Sequence, residues 1–224
     1  MTAYVLAALD MAGTTVDEGG LVYSAVEAAV AEAVGGPIPA ALMSQWKGTS
    51  KEEAIAGLLR GMGSDTSRAS VLKVYEIFAG KLEEAYDRTP PAPFPGVPEM
   101  FGTLRRAGVK VALQTGYAAP VANSIMTSLG WTVGETVDAL VTSDTVAASR
   151  PAPYLIFHAM EATGSRDVRR VLTAGDTPND LRAGLSAGAG FVVGVTTGSF
   201  TRPQLEAEPH THVLDSVAEL PTLL

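Results

Sequence analysis

YVLAALDMAGTTVD, residues 4–17, reads as a short buried strand that ends on a carboxylate. Tyr4 to Leu9 are all apolar, Asp10 closes the run, and Gly13 with two threonines turns the chain sharply. Such a run suits a strand covered on both faces, although periodicity alone leaves a helix open. Similar runs begin at Val109 (VKVALQTG), Val168 (VRRVLTAGD) and Gly190 (GFVVGVTTG), with a weaker one, DALVTSD, at Asp138. Helical stretches lie between them, over 120–129, 153–162 and 178–187. Strands alternating with helices predict an α/β core, a parallel sheet with helices on both faces.

One region breaks the alternation. From Glu18 to Arg88 no strand is evident. Val22, Val26, Ala29, Val30, Ala33 and Val34 recur at helical spacing. Ser50 with Glu53 three residues on predicts a capping box at a helix start, and a further helix is expected over 67–86. The proline-rich TPPAPFPGVP then closes an all-helical insert. The expected division is therefore an α/β core of residues 1–16 and 95–224 and a helical insert of 17–94.

Composition narrows the function. The 224 residues carry a formal net charge of -8, which argues against a nucleic-acid partner bound by phosphate neutralisation. There is no cysteine, so no disulfide and no thiolate metal site. The apolar start is too short for a signal segment, and no run is long enough to span a bilayer. The expectation is a cytoplasmic protein with no membrane partner.

The strand ends carry the polar residues. The first delivers Asp10, the second Thr115 and Gly116, and the third Asp176 and Asp180; Arg150 falls between the last two groups. Ligands of open parallel sheets bind outside those ends. Taken singly, each residue has a structural explanation as a turn, a cap or a solvated loop side chain.

Together, LDMAGTTVD, QTGY, SRPAP and AGDTPND resemble the four ordered motifs of the haloacid dehalogenase superfamily. The helical insert falls where that superfamily carries its cap. DMAGTTVD, TGY and SRPAP resemble the phosphonatase (phosphonoacetaldehyde hydrolase) branch. The resemblance implies a Rossmann-like core, a Mg²⁺ cofactor and a small phosphorylated or phosphonate metabolite as substrate. It implies that Asp10 attacks phosphorus to form an aspartyl phosphate. The implied metal ligands are the Asp10 carboxylate, the Ala12 carbonyl and Asp176, with Asp180 ligating directly or behind them. Thr115 and the Gly116 N–H would hold phosphoryl oxygens, and Arg150 would orient Asp10. A homodimer through the cap helices is expected by family analogy alone.

Ala12 stands where most phosphatases of the superfamily have an aspartate that protonates the leaving group. A methyl group cannot do this, and general acid catalysis is worth roughly 10²–10⁴-fold. Phosphonatases instead form a Schiff base from a cap lysine, and Lys51 falls at that position of KGTSKEE. Alternatively, Lys51 is a solvated residue in the first turn of a helix. Lys47 stands where that branch has a methionine and Ala54 where it has a histidine; Lys47 is read as a neighbour that lowers the lysine pKa or as a substrate-binding cation. Tyr117 is read as a substrate contact or a packed aromatic, and Asp17 and Glu18 as residues lining the cap hinge or, in preference, as a solvated linker. His210, His212, His158, Trp46 and Trp131 are read as structural or incidental. Three readings stay open. The first is a Mg²⁺-dependent hydrolase of a phosphonate or phosphate. The others are a sugar phosphomutase, disfavoured by Ala12, and a non-catalytic metabolite-binding protein.

Overall fold

The computed structural model describes residues 3–224. Six parallel strands form one sheet: β1 (Leu6–Leu9), β4 (Lys110–Gln114), β5 (Ala139–Val141), β6 (Val171–Gly175), β7 (Phe191–Val195) and β8 (His212–Leu214). Their order is β5-β4-β1-β6-β7-β8. Alternate residues of β1 serve opposite faces: Ala7 and Leu9 pack in the main core, Leu6 and Ala8 in a second core on the other side. That two-sided burial is why the run is almost wholly apolar.

Helices cover both faces. α5 (Val97–Arg106) packs against β4 and the C-terminal 3₁₀ segment, and α6 (Ala119–Ser128) adds Ile125 and Met126 to that core. α7 (Tyr154–Thr163) and α8 (Pro178–Ala187) cover the other face. A short α9 (Arg202–Glu206) lies against β7 and β8. Residues 168–170, expected as the start of a strand, form a 3₁₀ turn capped by Asp167. The strand begins only at Val171, where the side chains become fully buried. β8 was not foreseen: HVL is short, only half-buried and sits at the sheet edge, so it carries no strong apolar signal.

Four helices form the insert: α1 (Leu21–Val34), α2 (Ala40–Gln45), α3 (Lys51–Gly61) and α4 (Arg68–Arg88). Val22, Val26 and Val30 of α1 meet Ile55 and Leu58 of α3 and Val74, Phe78 and Leu82 of α4. Ser50 caps α3 by accepting from the Glu53 N–H, but the reciprocal half of the expected capping box is absent, because the Glu53 carboxylate accepts from the Ser149 N–H instead. The two chain crossings between sheet and insert pair as a ribbon, β2 (Val16–Asp17) antiparallel to β3 (Ala92–Pro93). Among the described residues, no helix is long and apolar enough to cross a membrane.

Candidate active site

In strand order the chain reverses direction across the sheet at β1. From there β4 and β5 extend one way and β6 to β8 the other. Ligands gather at such a switch point, outside the carboxyl ends of the strands. β1 and β6 are neighbours in register, Leu9 opposite Ala174, and the Asp10 N–H donates to the Ala174 carbonyl. Asp10 and Asp176 thus leave adjacent strands side by side. Asp180 joins them from the first turn of α8, where it forms a capping box with Thr177. Carboxylate oxygens of Asp10, Asp176 and Asp180 all lie within 4.8 Å of one another.

Such a buried acidic cluster repels itself. Burial and the charges of Asp180 and Asp10 push Asp176 well above the usual carboxylate range. Burial pushes Asp180 up to about 6, against the pull of Arg150. Arg150 supplies part of the compensation: Nη2 pairs with Asp10 Oδ1 at 2.7 Å and Nε lies 3.0 Å from Asp180 Oδ1. The latter contact is an ion pair out of hydrogen-bond alignment, so Asp180 Oδ1 is buried without a hydrogen bond. Burial works against the charge of Arg150, yet Asp10 and Asp180 raise its pKa further. Three carboxylates against one guanidinium, with an orphaned buried oxygen among them, fit a hard divalent cation that takes oxygen ligands.

Across β1 lies β4, whose end carries Thr115 and Gly116. Both are buried, and the Thr115 hydroxyl accepts from the Tyr117 N–H. Ala12 sits in the turn after β1, bridged to Val16. The structure therefore gathers Asp10, Thr115, Arg150, Asp176 and Asp180 at one rim, with Ala12 and Gly116 beside them.

The insert closes over this rim through the loop before α3. Arg150 Nη1 donates to the Gly48 carbonyl, and Asn179 Nδ2 donates to the Lys47 carbonyl at 2.7 Å. Glu53 accepts from the Ser149 N–H, and the hydroxyls of Tyr86 and Tyr117 lie 3.0 Å apart. The approach is close enough that a Cβ on Gly48 would strike the Thr177 side chain, and one on Gly116 the Thr49 carbonyl. Gly48 also has φ +84°, a conformation other residues adopt only with strain.

This closure encloses Lys51. Its residue is 7% exposed, its Nζ donates to the Thr49 carbonyl at 3.3 Å, and it lies 5.3 Å and 5.4 Å from the ring centres of Tyr117 and Tyr23. Burial lowers its pKa to about 8; Asp10 resists the fall and Arg150 adds to it. The solvated reading of Lys51 is therefore corrected. So is that of Glu18, which is 6% exposed and accepts from the Val22 N–H through Oε2; burial raises its pKa, and Lys51 holds it back. Asp17 is exposed as expected. Lys47 is half-buried, its Nζ 4.9 Å from the ring centre of Tyr23. Tyr117 is buried against Tyr86. His210 is exposed, His212 is half-buried at the sheet edge, and Trp131 packs edge-on to Phe101.

Tyr23, Tyr86 and Asn179 were not singled out from the sequence, and Glu53 was read only as a partner in the cap of α3. Tyr23 lies beside the apolar stripe of α1, half-buried against the core, and burial and the charges of Asp176 and Asp10 raise its hydroxyl well above the normal range. Only Asn179 carried a signal, its place inside AGDTPND.

Known proteins resemble this chain in sequence and in fold. The family model described as haloacid dehalogenase-like hydrolase matches residues 4–188. A phosphonoacetaldehyde hydrolase of Parabacteroides distasonis is 32% identical over 155 residues, 59% of this chain and 58% of that protein. One of Bacillus cereus is 30% identical over 203 residues, 85% of this chain and 75% of that protein. The chain thus spans little more than half the length of the first of these relatives. A phosphonoacetaldehyde hydrolase-like protein of Oleispira antarctica shares the fold with a TM-score of 0.82 at 22% identity, covering 100% of this chain and 92% of that one.

Proposed function

The chain belongs to the haloacid dehalogenase-like hydrolase family, and from that premise we propose that it cleaves a small phosphonate through an aspartyl-phosphate on Asp10. Asp10 is the nucleophile: Arg150 holds one of its oxygens at 2.7 Å and leaves the other to face phosphorus. Thr115 and the Gly116 N–H bind phosphoryl oxygens at the end of β4. Asp10, Asp176, Asp180 and the Ala12 carbonyl would hold Mg²⁺, which supplies charge neutralisation for an anion attacking an anion.

The observation that carries the carbon–phosphorus reading is Lys51, buried in the closed site with a pKa near 8 while Ala12 offers no acid. An amine that loses its proton near neutrality attacks a carbonyl, and the resulting imine accepts electrons. Lys51 condenses with the substrate aldehyde and water leaves. The imine nitrogen is protonated, the carbon–phosphorus bond breaks, its electron pair passes into the iminium to give a neutral enamine, and Asp10 takes the phosphoryl group. Water then releases phosphate from Asp10, and protonation and hydrolysis free the aldehyde from Lys51. No protonated leaving oxygen is needed, which accommodates Ala12.

A second reading is hydrolysis of a phosphate ester, favoured by the hydrogen bond from Lys51 to the Thr49 carbonyl and its place between two aromatic faces, the setting of a held ammonium. A paired assay separates them: phosphonoacetaldehyde against small phosphate esters, with and without Mg²⁺, and borohydride added during turnover. The first reading expects a reduced adduct on Lys51 with phosphonoacetaldehyde. Turnover of that substrate with no adduct rejects the imine.

A further inference from the structure

Lys47 has no role in either reaction above, yet its position is built. Its carbonyl accepts from Asn179 of the α8 first turn, so the core fixes where this cap residue stands. Its Nζ lies 4.9 Å from the ring centre of Tyr23 and 5.9 Å from that of Phe200, a residue of the loop after β7. Among the described residues no carboxylate pairs with it. A half-buried ammonium resting on aromatic faces has given up part of its hydration without gaining an anion.

Tyr23 shows which way this cation faces. Its hydroxyl accepts from the Gly48 N–H and feels the charges of Asp176 and Asp10, while its ring also carries Lys51 at 5.4 Å. One ring therefore spans the ground between the carboxylate cluster and both cap ammoniums. On the core side, Thr115, Gly116 and Arg150 are already assigned to the phosphoryl group and its nucleophile. The Lys47 ammonium stands on the cap side, opposite the groups assigned to phosphorus.

We propose that Lys47 binds a second anion on the substrate, a carboxylate carried away from phosphorus, so that the preferred substrates are carboxylated organophosphorus compounds. This rests on the reading of the Asp10 rim as the phosphoryl site. The shelf of Tyr23 and Phe200 lowers the local polarity, so the pair formed there is stronger than one in open water.

Calorimetry on the Mg²⁺-loaded protein tests this without turnover. Two matched pairs serve as probes: phosphonoacetate against ethylphosphonate, and 3-phosphonopropionate against propylphosphonate. Within each pair a carboxylate replaces a methyl group. The expected result is a preference of about tenfold or more for the carboxylated member of at least one pair. That ratio falls towards one in Lys47→Met and is kept in Lys47→Arg, with melting curves confirming that both variants fold. Lys47→Gln replaces the methionine variant if that one does not. A wild-type ratio near one in both pairs overturns the proposal, as does a ratio unchanged in Lys47→Met. Equal weakening of both members by Lys47→Met assigns the ammonium to the phosphoryl group and overturns it too. If none of the four probes binds, the phosphoryl-site reading falls with it; if they bind without discrimination, only the carboxylate does.

Discussion

The core rim and the cap loop hold their charged residues in different ways. Asp10, Asp176 and Asp180 project from strand ends and a helix start, and Arg150 ties two of them together. On the cap, Lys51 has one backbone carbonyl and two rings, and Lys47 has rings alone. A group locked by strand register and ion pairs suits a step that every substrate shares. One resting on aromatic faces suits discrimination, because it can be exchanged without disturbing the sheet.

The strongest test of that division is Asp10→Asn. It should abolish turnover of every substrate, by about 10⁴-fold or more, while the variant stays folded in thermal melts. Retained activity on either a phosphonate or an ester would break the assignment of the shared step to the core. Next comes Lys51→Gln, expected to cost about 10³-fold on phosphonoacetaldehyde and far less on a phosphate ester. The pH profile should agree. Lys51 must be neutral to attack, so kcat/KM for the aldehyde should rise with pH through about 8, and the ester profile should lack that limb. Equal losses on both substrates would erase the contrast.

Removing metal probes the core through stability. In the metal-free protein, Asp180 is raised to about 6, so protons stabilise the folded state. That contribution is complete below about 3.8 and is lost as pH rises through about 6. Stability should therefore fall over this window. Mg²⁺ should restore it at pH 7, by about 2.7 kcal/mol at a hundredfold excess over Kd. A melting temperature indifferent to Mg²⁺ would remove the cation from the carboxylates. The smallest effect is expected from Glu53→Gln, which weakens the contact to the Ser149 N–H. About 1 kcal/mol, read as a few-fold rise in KM with kcat little changed, would mark it as a closure contact.

The same contrast explains what the sequence made legible. Asp10, Thr115 and Asp176 could be placed because an apolar run that stops on a polar residue marks a strand end, and strand ends of a parallel sheet share one rim. Asp180 and Arg150 followed from AGDTPND and SRPAP, through the resemblance of the ordered motifs to those of the haloacid dehalogenase superfamily. Tyr23, Glu18, Tyr86 and Glu53 were hidden because their roles arise where the insert meets the core. A tyrosine beside a helical stripe and a glutamate in a linker look the same whether they face a site or solvent. Lys51 was ambiguous for that reason until its burial was seen. Among elements, β8 and α2 were missed because short, half-buried segments carry little periodicity.

The paired ribbon of β2 and β3 has a mechanical consequence. Both tethers of the four-helix lid are hydrogen-bonded to each other, so they cannot slide independently, and the lid is left one hinge axis running along them. Glu18 follows directly after β2 and leans on the first turn of α1. A swing about that axis carries Glu18 and Lys51 together and takes both away from Asp10 and Arg150 on the core, so opening the door also uncovers and retunes the amine.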